Sequence, residues 1–249
     1  MSLLVNVSFE RYRFRIVKSN EKTNVTKIKK KRKTMNENLT WIADVLDESG
    51  SMNEIKTDTI GARNEFIREQ RLVPGEVACT LIKFNTKIEK VYENLSIFQV
   101  PDLNENSFRP NNWTRLYDAI GYGITELKAK IKALPEDQKP GKVLFIITTD
   151  GKENRSTDYT RAQIFEMISK REKKGWKFIY LGANQDAMEE GGKIGVDKFN
   201  TVTWSADPKG VKTAFKSAGV YASMYRSAPV GSNFSADLSE IYKEEEKKV

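Results

Sequence analysis

Residues 142–149 read Lys-Val-Leu-Phe-Ile-Ile-Thr-Thr, a run in which apolar side chains do not alternate with polar ones. A strand of that composition must be covered on both faces, so it belongs inside a mainly parallel sheet flanked by helices. The remaining pattern agrees. Strands are expected over 41–46, 77–84, 87–93, 177–182 and 200–204, and helices over 53–71, 115–134 and 208–226. A further helix led by Asp158 carries Ile164, Phe165, Met167 and Ile168, and a short one spans 183–191. Asp207-Pro208 supplies an N-cap and a first-turn proline for the last long helix. Only Asn85 and Thr86 separate the second and third strands, which makes a hairpin and one antiparallel edge strand. The expected fold is α/β: a doubly wound, mainly parallel six-stranded sheet of Rossmann-like layout. Ligands in such sheets collect beyond the carboxyl ends of the strands, at the switch point.

Two absences exclude much chemistry. The 249 residues contain no histidine, which rules out Ser-His-Asp and Cys-His catalysis and most zinc sites. Cys79 is the single cysteine, so no internal disulfide forms; it sits in the apolar run 77–84 and reads as a buried small hydrophobe rather than a nucleophile. No apolar run approaches the roughly 20 residues of a spanning helix. Glu10, Arg11, Arg13 and Arg15 interrupt the leading segment, which therefore does not read as a signal peptide. The expected location is the cytoplasm.

The net charge of +8 is unevenly placed. Residues 1–34 hold 11 of the 42 basic side chains and two of the 34 acidic ones. The body is thus nearly neutral, and an argument for nucleic acid or an acidic partner concerns the leading arm alone. Within that arm, 2–17 alternate like a strand and 18–34 form a linker ending in Lys27-Ile-Lys-Lys-Lys-Arg-Lys33. The expected organisation is a basic N-terminal extension over 1–34, a globular domain over 35–227, and a charged, fraying tail over 228–249. Met35 reads as an alternative start, in which case 1–34 is not native.

The chemistry-bearing residues stand at strand ends. Val45-Leu-Asp47-Glu-Ser49-Gly-Ser51-Met52 packs one carboxylate and two hydroxyls into a tight loop before a helix. Oxygen donors of this kind suit a hard divalent cation. Alone, the trio would serve equally well as a helix cap. Thr114, in Asn111-Asn-Trp-Thr-Arg-Leu-Tyr-Asp118, precedes another helix, and Asp150-Gly151 closes the apolar strand. If the two strands are neighbours, Asp47 and Asp150 converge. Asp118 reads as a first-turn dipole partner, and Asp186 as a cap that could also approach the site. Trp113 stands either at the rim of the site or in the core. Asp44 lies within an apolar strand and requires a nearby Lys, Arg or backbone donor.

The order Asp47-x-Ser49-x-Ser51, then Thr114, then Asp150-Gly151, with the secondary structure between them, resembles the von Willebrand factor A domain and its metal-ion-dependent adhesion site. The match runs from about Thr40 to Arg226 and is closest in style to small stand-alone bacterial and phage domains. The resemblance implies that Ser49, Ser51 and Thr114 ligate the metal, while Asp47 and Asp150 act through waters and hydrogen bonds. It implies Mg2+, with Mn2+ or Ca2+ as alternatives, and an open coordination position for an Asp or Glu of a protein partner. It implies a binding module rather than an enzyme. The alternatives are nucleic-acid or acidic-partner binding through the arm, and a magnesium-dependent phosphatase-like reaction. The phosphatase reading needs a second Asp two residues after Asp47, where Ser49 stands.

Overall fold

The computed structural model describes residues 34–184 and 186–248. The alternating segment 2–17 and all but the last residue of the basic linker lie outside the described residues. Six strands are present: β1 (Asn36–Asp47), β2 (Glu76–Phe84), β3 (Ile88–Ser96), β4 (Pro140–Thr149), β5 (Lys177–Ala183) and β6 (Thr201–Trp204). They form one sheet in the order β3-β2-β1-β4-β5-β6. Every pairing is parallel except β2 with β3. The doubly wound sheet expected from the sequence is therefore present, with its antiparallel strand at an edge.

The helices are α1 (Lys56–Leu72), α2 (Leu116–Ala133), α3 (Arg161–Glu172), α4 (Ala187–Lys193), α5 (Pro208–Ser227) and α6 (Leu238–Glu246). Alternation along β1 divides the core. Ile42 and Leu46 face a cluster that includes Phe66 of α1, Phe215 of α5 and Leu238 of α6. Ala43 and Val45 face the other cluster, with Ile120 and Ile124 of α2 and Ile164 and Ile168 of α3. Both faces of β4 are buried, as its composition requires. Among the described residues no helix is long and apolar enough to cross a membrane.

Several boundaries differ from the sequence expectation. The first helix begins only at Lys56, after a short 3-10 turn over Gly50–Asn53. The third strand continues to Ser96, past a register shift and a left-handed Asn94 (φ 49°). Thr160, not Asp158, caps α3, because Gln163 sits at the position that completes a reciprocal capping box with it. β5 runs on to Ala183, so the short helix starts at Ala187. Cys79 is buried within β2, and that burial pushes its thiol up to about 12. Asp207 caps α5 as expected, accepting from the Gly210 amide at 2.7 Å.

The C-terminal stretch departs most. It does not fray; it forms α6, which packs on α5. Asp237 caps it through the amides of Ser239 (2.9 Å) and Glu240 (3.2 Å), and Leu238 is fully buried. Ahead of it, Phe234 meets Tyr221 edge-on at 5.4 Å between centroids. The run of Glu and Lys that suggested a solvated end occupies only the outer half of this helix.

Asp44 lies on the same face of β1 as Ile42 and Leu46, pointing at α1. There Arg63 meets it, Nε to Oδ2 at 3.1 Å, both side chains buried. Arg63 also donates to the Tyr92 hydroxyl. The partner that Asp44 requires is thus one helix away. Asp44→Ala leaves a buried guanidinium uncompensated and is expected to cost about 3–5 kcal/mol in urea unfolding. Replacing both partners, Asp44→Leu with Arg63→Met, is expected to recover most of that loss.

Candidate metal centre

β1 and β4 are neighbours at the middle of the sheet, with Leu46 level with Thr148. Their ends therefore deliver Asp47 and Asp150 to one place. Thr149 Oγ1 donates to Asp47 Oδ2 at 2.5 Å, and the Ser49 amide donates to Asp47 Oδ1 at 2.7 Å. Ser51 Oγ donates to Asp150 Oδ1 at 2.6 Å and lies 3.2 Å from Ser49 Oγ. Thr114 comes from a third, distant stretch. Its amide donates to Asn154 Oδ1 at 3.0 Å, and its carbonyl accepts from the amides of Asn154 and Arg155 at 3.2 Å.

The convergence is measured best above Gly151. A Cβ placed there would lie 3.0 Å from Thr114 Oγ1, 3.6 Å from Ser51 Oγ and 3.7 Å from Asp47 Oδ2. Three oxygens from two stretches of chain thus face one small space that a glycine of a third stretch leaves open. Ser49 and Asp150 join them through Ser51. All five residues singled out in the sequence are brought together. Asp47, Ser49 and Thr114 are buried, whereas Ser51 is exposed and Asp150 half-buried, so the cradle opens to solvent on that side.

Its electrostatics lean toward a cation. Burial pushes the Asp47 carboxyl up to about 7; the hydrogen bonds from Thr149 and Ser49 oppose this, and the nearby Asp150 adds to it. Burial likewise raises Asp150, against the bond from Ser51. Among the described residues no Lys or Arg pairs with either acid. Among the same residues no group of three or more His, Cys, Asp or Glu is placed to hold a metal, so hydroxyls must supply much of any ligand set. Oxygen donors around desolvated carboxylates without a basic partner fit a hard divalent ion.

The surrounding loops are fastened to the sheet. Glu48 pairs with Lys83 at 3.0 Å and accepts from the Arg109 amide at 2.6 Å. Its carbonyl accepts from the Asn111 amide at 2.9 Å, and the Gly50 amide donates to the Asn112 carbonyl at 3.0 Å. Asn112 is left-handed (φ 62°), a conformation Asn tolerates better than most residues. Trp113 follows it and is 60% exposed. Of its two expected placements, the rim is the observed one.

Some supporting residues escaped the sequence reading. Glu153 accepts from the Tyr117 amide at 3.0 Å and holds the start of α2 beside Thr114. Asp118 lies in the first turn of α2, as expected of a dipole partner, and has a second task as well. It turns inward and accepts from the amides of Thr157, Asp158 and Tyr159 at 2.8–2.9 Å, and pairs with Arg115. Burial raises its pKa, but these donors outweigh burial and hold the carboxyl below its ordinary value. The polar Thr149 ending an apolar strand was the one visible signal for this outer shell. Asp186 caps α4 through the Glu189 amide at 2.9 Å.

No protein-family model matches the sequence, and no curated protein matches it. Solved structures do. The vWF domain of the type V pili tip protein Mfa5 from Porphyromonas gingivalis superposes with a TM-score of 0.56 at 11% identity, covering 78% of this chain and 98% of that one. A von Willebrand factor type A protein from Catenulispora acidiphila gives 0.51 at 14%, over 76% of this chain and 43% of the other. Proximal thread matrix protein 1 from the mussel byssus, in a structure with a zinc-occupied MIDAS motif, gives 0.51 at 15%, over 74% and 46%. The match thus takes in less than half of the last two proteins. At these identities it is the architecture that is shared, and the chain has the fold of a von Willebrand factor A domain.

Proposed function

We propose that the chain is a metal-dependent protein-binding module. Ser49, Ser51 and Thr114 hold Mg2+ directly, with Mn2+ or Ca2+ as alternatives. Asp47 and Asp150 act through bound water and through the hydrogen bonds they already make. The observation that carries this reading is the convergence of Thr114, Ser51 and Asp47 on the space above Gly151. The mussel protein's zinc-occupied MIDAS motif on a similar fold supports it.

Magnesium takes six oxygens at about 2.0–2.1 Å and keeps several waters. A site that offers hydroxyls directly and carboxylates mostly at one remove leaves such an ion short of negative charge. An Asp or Glu of a protein partner then completes the coordination. Trp113, exposed on a fastened loop beside Thr114, gives that partner an aromatic surface to pack on. A single buried cysteine and no disulfide accord with a cytoplasmic site of action. The phosphatase-like alternative lacks its acid/base carboxylate, since Ser49 occupies that position and is bonded into the cradle.

Four outcomes follow. Calorimetric titration is expected to find one divalent site, removed by EDTA. Thr114→Val is expected to weaken Mg2+ by about tenfold or more while the melting temperature stays close to that of the parent chain. Gly151→Ala places a methyl in the cradle and is expected to abolish uptake; unchanged affinity in both variants would remove the metal from these residues. Trp113→Ala is expected to leave metal affinity intact and to weaken chelator-sensitive partner capture by about tenfold, as loss of an aromatic anchor does.

A further inference from the structure

At the opposite pole from the cradle, the amino ends of β4 and β5 meet the carboxyl ends of α2 and α3. A groove of about 300 Å3 lies there. Lys128 and Lys132, one turn apart on α2, stand on one wall, and Arg171 and Lys174 at the end of α3 stand on the other, with Lys139 between. Val143 and Trp176 are the buried floor. The Arg171 guanidinium lies over the Trp176 ring, 5.7 Å from its centroid.

The charge here is concentrated. Residues 128–142 and 170–177 hold ten Lys and Arg against Glu136, Asp137 and Glu172. The near-neutrality of the body therefore conceals a strongly basic pole, which corrects the expectation that only the leading arm is basic. Lys130, Lys139 and Lys170 are paired with acids. Lys128, Lys132, Arg171 and Lys174 have no acidic partner among the described residues. Basic residues in a helix's last turn complement its dipole. That accounts for Lys132 and Arg171 and leaves Lys128 and Lys174 without a structural task.

We propose that this groove binds the phosphate backbone of a single-stranded nucleic acid. Two rows of cations facing each other across a trough suit a linear polyanion lying between them. A membrane surface fits less well, because the trough is concave and its aromatic residue is buried in the floor. Met35 also lines the groove. No metal takes part, and the site is independent of the cradle.

The test uses the full chain and a fluorescent oligodeoxythymidylate of about 20 nucleotides, titrated over a range of salt. Binding is expected to be salt-dependent and unaffected by EDTA, which separates it from the metal site. Lys128→Gln/Lys132→Gln/Lys174→Gln, all exposed positions, is expected to melt with the parent chain and to bind about tenfold more weakly. Its salt slope should fall by about 2, since each lost phosphate contact removes about 0.7. A second variant, Lys29→Gln/Lys30→Gln/Lys31→Gln/Lys33→Gln, tests the arm alone. The proposal is overturned if the oligonucleotide does not bind, or if the groove variant binds as the parent does. It is also overturned if groove-dependent binding is found to phosphatidylcholine/phosphatidylserine vesicles and not to the oligonucleotide.

Discussion

The adjacency of β1 and β4 is the constraint on which the site depends. Parallel pairing holds the two strands level, so their carboxyl ends finish side by side. The chain leaves β1 toward one edge of the sheet and β4 toward the other, and the helices that follow depart on opposite faces. Between them opens the crevice that a doubly wound sheet presents at its switch point. Thr149 joins the two ends by donating to Asp47, so the last residue of one strand orients the last carboxylate of the other. Displacing β4 by one residue would turn Thr149 to the other face and break this bond.

Around that junction, supporting contacts come from residues with no exposed role. Glu48, beside Asp47, faces away and secures the loop that carries Asn112 and Trp113. Asp118 and Glu153 tie the loop after β4 to the start of α2, which fixes Thr114 from below. Three stretches widely separated in sequence are thereby held together, each meeting the cradle at the end of a strand or in the turn that leads into a helix. The result is a preorganised set of oxygens, in which ordering has been completed by folding rather than left to binding.

Much of this was legible in the sequence. The uninterrupted apolar run of β4 indicates a sheet covered on both faces, and the strand-helix alternation leaves few topologies for it. The cradle residues were readable because each has a punctuating position at the end of a strand or the start of a helix. What could not be read was anything requiring knowledge of facing neighbours. Arg63 as the partner of Asp44 depends on which face of β1 meets α1. Asp118 is the helix-start acid it reads as, but its bonds to the loop 157–159 depend on that loop folding over it. The basic pole is invisible to a count along the chain, because acids elsewhere on the surface cancel it. The cap at Asp237 was masked by the Glu- and Lys-rich sequence that follows it.

The antiparallel strand β3 has a consequence of its own. As an outer strand it presents unpaired backbone groups, the template on which copies of a protein can stack into aggregates. Here the ladder is broken by shifts near Leu81 and Tyr92 and by the left-handed Asn94. Glu89, Lys90 and Glu93 add charge along it, with Lys90 held between Glu93 and Glu126. A crooked, charged border of this kind gives a second molecule no straight run to extend, and so protects a sheet whose interior is strongly apolar.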